Sequence, residues 1–250
     1  AAAALSGVQW RILGHGGLFT AEDLRGALQP SNVHYAPTTL VWLENTHNRG
    51  SGRVFPQDEV KAIAEVARGN GFGLHLDGAR VLNAAAATGL APADLVAPVD
   101  STSICLSKGL GAPVGSVLAG GAAFIEKALR YRKMFGGGMR QVGILAAAGL
   151  YALEHNLPNL AGDHDNARLL ADGVGALPHV SLNRDHVQSN IVIFDLEPGA
   201  PDAETFLAHC SERGLDLCPF GPGRIRMVTH MDVSRAQCEQ AVEIIAQVLG

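Results

Sequence analysis

The chain has 250 residues, 47% of them hydrophobic and 17% charged, enough to bury a substantial core in one large domain or in a large domain with a smaller one. Its formal charge of −5 comes from acids and bases scattered along the sequence, without the basic stripe that a phosphate backbone requires, so nucleic acid is not an expected partner. The opening AAAALSG is too short for the core of a signal peptide and no later run approaches a membrane span, which gives the expectation of a cytoplasmic protein with no membrane partner.

Taken in chain order, GHGG (14–17) is Gly-rich but is followed by a plain helix start at Thr20, Glu22 and Asp23, so it reads as a turn rather than as a phosphate site. TLVWLEN (39–45) reads as a buried strand. After the turn-rich THNRGSGR comes PQDEVKAIAEVARGNG, a helix with Pro at its first turn and Gly at its end, whose Val60, Ile63, Ala64 and Ala67 share one face. FGLHLD (72–77) is a second strand, so residues 39–77 form one βαβ crossover ending at Asp77. STSICLS is a further strand running to Ser107, and PVGSVLAG another after a Gly-rich turn; long helices are expected over about 121–134 and 139–155. From about residue 160 the order becomes a helix (DHDNARLLADGVGAL), strands HVSLN and SNIVIFDLE, a helix (DAETFLAHCSERG), strand RIRMVTH and a final helix, which is a small α+β unit. The fold class is therefore α/β, with a large domain over 1–158 carrying a mainly parallel sheet and a small C-terminal domain over 159–250. The four cysteines form no CxxC pair and read as reduced packing residues, and the ten histidines form neither an HExxH nor a tight cluster, so no metal is expected.

In open α/β sheets ligands gather beyond the carboxyl ends of the strands, and both Asp77 and Lys108 fall at such ends. A lysine amine and a carboxylate are what pyridoxal 5′-phosphate (PLP) chemistry needs, one to form the imine and the other to keep the pyridine nitrogen protonated. Spacing alone leaves open the plainer readings, a strand-terminal Asp capping a helix and an exposed loop lysine.

HLDGAR (75–80) and SICLSKGLGAPVGS (103–116) resemble the β-eliminating lyase and threonine aldolase group of PLP enzymes. LENTHN (43–48), GGGMRQVGILAAAGLYAL (136–153), DHDNARLLADG (163–173) and IRMVTHMDVS (225–234) resemble low-specificity L-threonine aldolase segments, in the family's order and over essentially the whole chain. The resemblance implies PLP fold type I, the aspartate-aminotransferase type, and cleavage of L-threonine, L-allo-threonine and related β-hydroxy-α-amino acids to glycine and an aldehyde. It implies Lys108 as the Schiff-base lysine, Asp77 as the partner of the pyridine nitrogen, and Arg80 beside the ring oxygen and the substrate carboxylate. Arg226 matches the arginine that grips the α-carboxylate, a task suited to a planar guanidinium; Arg224, two residues earlier on the same side of the strand, is held as a surface residue or substitute. Lys133 and Arg140 resemble positions that contact the PLP phosphate or the mouth of the site, within a subunit or from a neighbouring one.

His34 of NVHYAPTTL resembles the family histidine near the substrate hydroxyl, where it would serve as the base, although Pro37 and Thr38 depart from the usual arginine-containing wording. Asn45 and His47 belong to the loop after the first strand, from which a pocket can be lined. His75 reads as a core histidine, and His230 is open between that role and a catalytic one. The resemblance further implies an N-terminal segment, before the point where this chain starts, that supplies the phosphate loop and a ring-stacking histidine; on that reading the chain is part of a longer protein or a truncated form. Two alternatives follow: a catalytically silent truncated fold-type-I chain, and a β-eliminating lyase on the same fold. A nucleotide-dependent enzyme has no GxGxxG or GxxxxGK[ST] behind it. The resemblance implies as partners a small amino-acid substrate and further copies of the chain, in a homotetramer built as a dimer of dimers.

Overall fold

The computed structural model describes residues 2–250. Helices α1 (Ala2–Ser6) and α2 (Ala21–Ala27) precede strand β1 (Leu40–Glu44); α3 (Gln57–Gly69) connects it to β2 (Gly73–Asp77), and α4 (Val81–Thr88) and α5 (Pro92–Val96) lead to β3 (Ser101–Cys105). After β4 (Ser116–Gly120) come α6 (Ala122–Met134) and α7 (Gly143–Tyr151), the latter running on into a π-helical turn, Ala152–Asn156. The sheet order is β1-β2-β3-β4, with β1, β2 and β3 parallel and β4 antiparallel on β3.

The central strand β2 buries Leu74, His75 and Leu76 in succession, as a strand covered on both faces must. β1 was expected to be buried too, but it lies at the sheet edge and alternates, with Val41 and Leu43 buried and Leu40 and Trp42 exposed. The face foreseen for α3 is the one it buries, Ile63 being 0% exposed, while Asp58 and Glu59 sit in its first turn, where negative charge suits the helix dipole. A fully buried Ile of this kind contributes roughly 1.5–3 kcal/mol.

The second half is built on α8 (Leu160–Val174), β5 (Val180–Ser181), β6 (Ile191–Leu196), α9 (Ala203–Glu212), β7 (Cys218–Gly221), β8 (Arg224–Val228) and α10 (Arg235–Leu249). Its sheet is antiparallel, in the order β5-β6-β8-β7. Phe194, Phe206, Ile225 and Ile245 form its core with the inner face of α8. Leu160, the first residue of α8, belongs instead to the core of the first sheet, so α8 touches both. β7 left no signal in the residue pattern, because CPFG carries Pro219 and a terminal Gly; such a strand survives only at an edge, where it lies.

Candidate functional site

At the carboxyl end of the first sheet, Glu44 of β1 stands in register with Asp77 of β2, and Asp77 with Ser103 of β3. Asn45 N–H donates to the carbonyl of Asp77 at 2.9 Å, and the Asp77 carboxylate accepts from Ala79 N–H at 3.1 Å, which turns the chain sharply over β3. The turn is tight at Gly78: a Cβ there would lie 2.8 Å from Thr102 Oγ1. It delivers Arg80, half-buried, to the start of α4.

Arg226 approaches from β8 of the other sheet. Its Nη1 donates to Asn48 Oδ1 at 3.0 Å, and its guanidinium lies over the Phe220 ring, 4.5 Å from the centroid. Asn48 is fixed in turn by its N–H donating to Glu44 Oε1 at 2.9 Å. Burial lowers the Arg80 guanidinium from its ordinary range; the Arg226 charge adds to this, and Glu44, Cys105 and Asp77 oppose it. Two guanidiniums that feel each other's charge in a half-buried crevice are mutually unfavourable, and the Nε atoms of both are buried without a hydrogen-bond partner. The arrangement is matched to an anion with several oxygens, such as a carboxylate, which would satisfy both donors and cancel the repulsion.

Arg224 does not share this environment. It is exposed and forms a two-point pair with Asp195, Nε to Oδ1 at 2.7 Å and Nη2 to Oδ2 at 2.8 Å, which leaves Arg226 as the strand's cation nearest Arg80.

β3 ends at Cys105, two residues earlier than expected, and Lys108 follows in a turn whose carbonyl accepts from Gly111 N–H at 2.8 Å. Lys108 is half-buried and forms no ion pair or side-chain hydrogen bond among the described residues. The turn that carries Lys108 thus leaves the same end of the first sheet as Asp77, the end to which Arg80 and Arg226 are also brought.

His34, Lys133 and Arg140 lie elsewhere. His34 is exposed in a turn where its own N–H donates to Asn32 Oδ1 at 2.9 Å. Lys133 is exposed in the last turn of α6, and Arg140 is exposed in the loop before α7. His75 is buried; its Nδ1 meets Ser101 Oγ at 2.8 Å, and burial lowers its pKa against the opposing charge of Asp77, so it is a neutral core residue. Asn45 is likewise buried, accepting from Phe55 N–H at 3.1 Å. GHGG serves packing: a Cβ on Gly17, whose φ is +90°, would lie 2.0 Å from His47 Nδ1.

Sequence reasoning missed Glu44, Asn48 and Phe220 as organisers of the arginines. Glu44 and Asn48 stand inside the LENTHN stretch that had drawn notice, so their polarity at a strand end was the available signal; Phe220 lay in a strand the pattern did not reveal.

The model of the family described as beta-eliminating lyase matches residues 1–197. Low-specificity L-threonine aldolase 1 of Arabidopsis thaliana is 39% identical over 236 residues, a match covering 93% of this chain and 66% of the relative. The low specificity L-threonine aldolase of Escherichia coli K12 is 41% identical over 221 residues, with 88% and 62% covered. The chain therefore spans just under two thirds of the length of these curated relatives. The solved threonine aldolase of Leishmania major superposes with a TM-score of 0.74 over 93% of this chain and 68% of its own, at 22% identity. That likeness shows the fold, which is PLP fold type I. With four fifths of its residues inside the family match and two relatives near 40% identity, the chain belongs to the beta-eliminating lyase family.

Proposed function

We propose that this chain carries the main part of a PLP-dependent lyase, an aldolase that cleaves L-threonine, L-allo-threonine and related β-hydroxy-α-amino acids to glycine and an aldehyde. The carrying observation is the convergence of Asp77, Arg80 and Arg226 at the sheet end from which the Lys108 turn leaves. The names of the curated relatives support the choice of substrate.

The residues present fit the cofactor. Among the described residues Lys108 offers an amine with no carboxylate paired to it, Asp77 a carboxylate accepting from Ala79 N–H, and the arginines two buried Nε–H donors without partners. Lys108 would hold PLP covalently, and Asp77 would keep its ring nitrogen protonated. Bound there, PLP supplies the sink for the electron pair of the broken Cα–Cβ bond. Arg226 and Arg80 would clamp the substrate carboxylate and so set which bond faces the ring, a matter of orientation that lowers the barrier. In the retro-aldol direction a base takes the β-hydroxyl proton, and His34 is the residue we read in that role. Lys133 and Arg140, exposed on α6 and the loop after it, are read as contacts at the phosphate or at the mouth of the site, including from a neighbouring copy.

We read the chain as a large domain over 1–158 and a small one over 159–250; the two separate cores support that division. A homotetramer and a cytoplasmic location complete the reading. Support for assembly is the run of apolar side chains left exposed on β4, α6 and α7, and none of the described helices is long and apolar enough to cross a membrane. A second reading, β-elimination from serine, is favoured by the description of the matched family.

The deciding experiment is borohydride reduction of the purified protein with added PLP, with peptide mapping of the adduct, followed by product analysis. Label on Lys108, with glycine and acetaldehyde released from threonine, is the expected result. Pyruvate and ammonia from serine would establish the second reading. Label scattered over surface lysines, with neither product pair, would leave the silent chain.

A further inference from the structure

The turn that carries Lys108 is held from outside its own sheet. Once β3 ends at Cys105, the backbone of residues 108–111 has no ladder to secure it. Side chains from beyond β4, two of them from just past β8, take over. The carbonyl of Lys108 accepts from Gly111 N–H at 2.8 Å and meets His230 Nε2 at 2.9 Å, across 122 residues of sequence. Asn156 Nδ2 donates to the carbonyl of Leu110 at 2.8 Å. Met231 fills the space over Gly111, where a Cβ would lie 2.5 Å from its Sδ, and Leu160 does the same over Gly109, at 2.8 Å from its Cδ2.

His230 is itself well anchored. It follows Thr229, which is 1% exposed and whose hydroxyl donates to the carbonyl of Asp163 at 2.6 Å while its N–H donates to the carbonyl of Asn190 at 3.0 Å. A carbonyl has no proton to give, so Nε2 must be the donor. Its Nδ1 lies 3.4 Å from Asp232 N, an N–H donor suited to the neutral ring, and 3.2 Å from Asp232 Oδ2, an acceptor suited to the charged one. Both protonation states therefore leave Nε2–H on the Lys108 carbonyl.

We infer that His230 is a positioning residue for Lys108: its Nε2–H pins the lysine's backbone carbonyl and fixes the point from which the amine is aimed. The inference rests on the reading of Lys108 as the cofactor lysine. It also gives the exit of β8 two tasks, since Arg226 on that strand faces the proposed carboxylate site and His230 just beyond it holds the lysine. Two sheets with separate cores are in this way tied together at the reacting atoms.

The test compares the purified protein with His230→Gln, whose amide N–H can reach the same carbonyl, and His230→Leu, which fills the space and donates nothing. Hydrogen exchange of the 106–112 segment, followed without PLP, is expected to quicken about tenfold in His230→Leu, as losing one part-buried hydrogen bond would produce, and to return most of the way in His230→Gln. The fraction of reduced PLP found on Lys108 at limiting PLP is expected to fall severalfold in the Leu variant and to recover in the Gln variant. Unchanged exchange and labelling in His230→Leu would overturn the inference, as would equal damage in both variants spread over residues 160–230. Wild-type protein that takes no label on Lys108 would defeat the cofactor reading alone, because the exchange comparison still decides the clamp.

Discussion

Helices α3 and α7 are both rich in apolar residues, and they end in opposite surroundings. α3 turns Val60, Ile63, Ala64 and Ala67 onto the sheet and its charges toward solvent. α7, GILAAAGLY, carries no charge at all, yet Gly149 is its one buried residue and Ile144 is 87% exposed. A helix apolar on every side is one built to be surrounded. β4 and α6 share the condition, neither burying a single residue. The candidate site divides along the same line. Asp77, Arg80 and Arg226 stand on the packed side, where neighbours assign each a task, whereas Lys133 and Arg140 stand on the open side, where nothing in the chain does.

The comparison can be broken first at the packed side. Ile63→Ala removes a side chain that is 0% exposed, and the cavity left beside β2 is expected to cost about 2–5 kcal/mol in urea unfolding. A cost below about 1 kcal/mol would mean that this half is as loosely held as the other.

The next largest effect is set by pH. Burial, with the charge of Arg168 adding to it and Asp165 opposing, lowers the pKa of His164 from 6.5 to about 4. The ring is buried and its Nε2 lies 3.1 Å from Asn83 Nδ2, so the folded state keeps it neutral. A folded pKa depressed below the unfolded one means that the folded state binds fewer protons. The stability from this group is thus fully present above about pH 6.5 and is lost as pH falls toward about 4. The loss expected is about 3 kcal/mol, at 1.36 kcal/mol per pKa unit. Asp163 next to it works the other way, burial raising its pKa, so stability falls as pH rises above 3.8. The His164 contribution is therefore read as the difference between wild type and His164→Gln at pH 7 and pH 4; equal slopes in the two proteins would refute it.

Arg226→Ala tests the crevice directly. Losing one charged donor pair to the substrate carboxylate is expected to lower kcat/KM for threonine about a hundredfold, mostly through KM, with Arg226→Lys in between. Arg224→Ala, which breaks the exposed pair with Asp195, is expected to change kcat/KM less than about threefold. Similar losses in both variants would remove the distinction between the arginine on Asn48 and the one on Asp195.

How far the sequence could be read follows the same division. Helices α3, α9 and α10 were legible because each buries a face whose period appears in the residues, and strands β1, β2, β3 and β6 because each is a short apolar or β-branched run bounded by turn residues. α8 begins at Leu160, earlier than the DHDNARLL wording suggested, because Leu160 is claimed by the first core and not by the helix's own periodic face. At the site, the place of Asp77 at the end of β2 was legible from the pattern, and that of Lys108 just past β3 nearly so, whereas the roles proposed for them and for Arg226 came from resemblance. That Arg226 meets Asn48 across 178 residues, or that His230 holds a backbone carbonyl, was not legible, since such contacts depend on how two sheets meet and leave no local period. The roles of His34, Lys133 and Arg140 came from wording alone, and each lies on exposed chain.

The smallest expected effect is the most informative about the open side. Ile144→Ala removes the same atoms as Ile63→Ala. In a chain where Ile144 is 87% exposed, the substitution should alter urea stability by less than about 0.5 kcal/mol when the protein is dilute. If α7 is covered when copies associate, the same substitution costs stability in proportion to how much protein is assembled, because binding favours the folded state by mass action. The difference between Ile144→Ala and wild type should then grow as protein concentration is raised, while that of Ile63→Ala stays constant. A flat response in both would show that the apolar surface of β4, α6 and α7 is not covered by further copies. A growing response confined to Ile144 would show that α7, like α3, buries a face, and that this face belongs to the assembly.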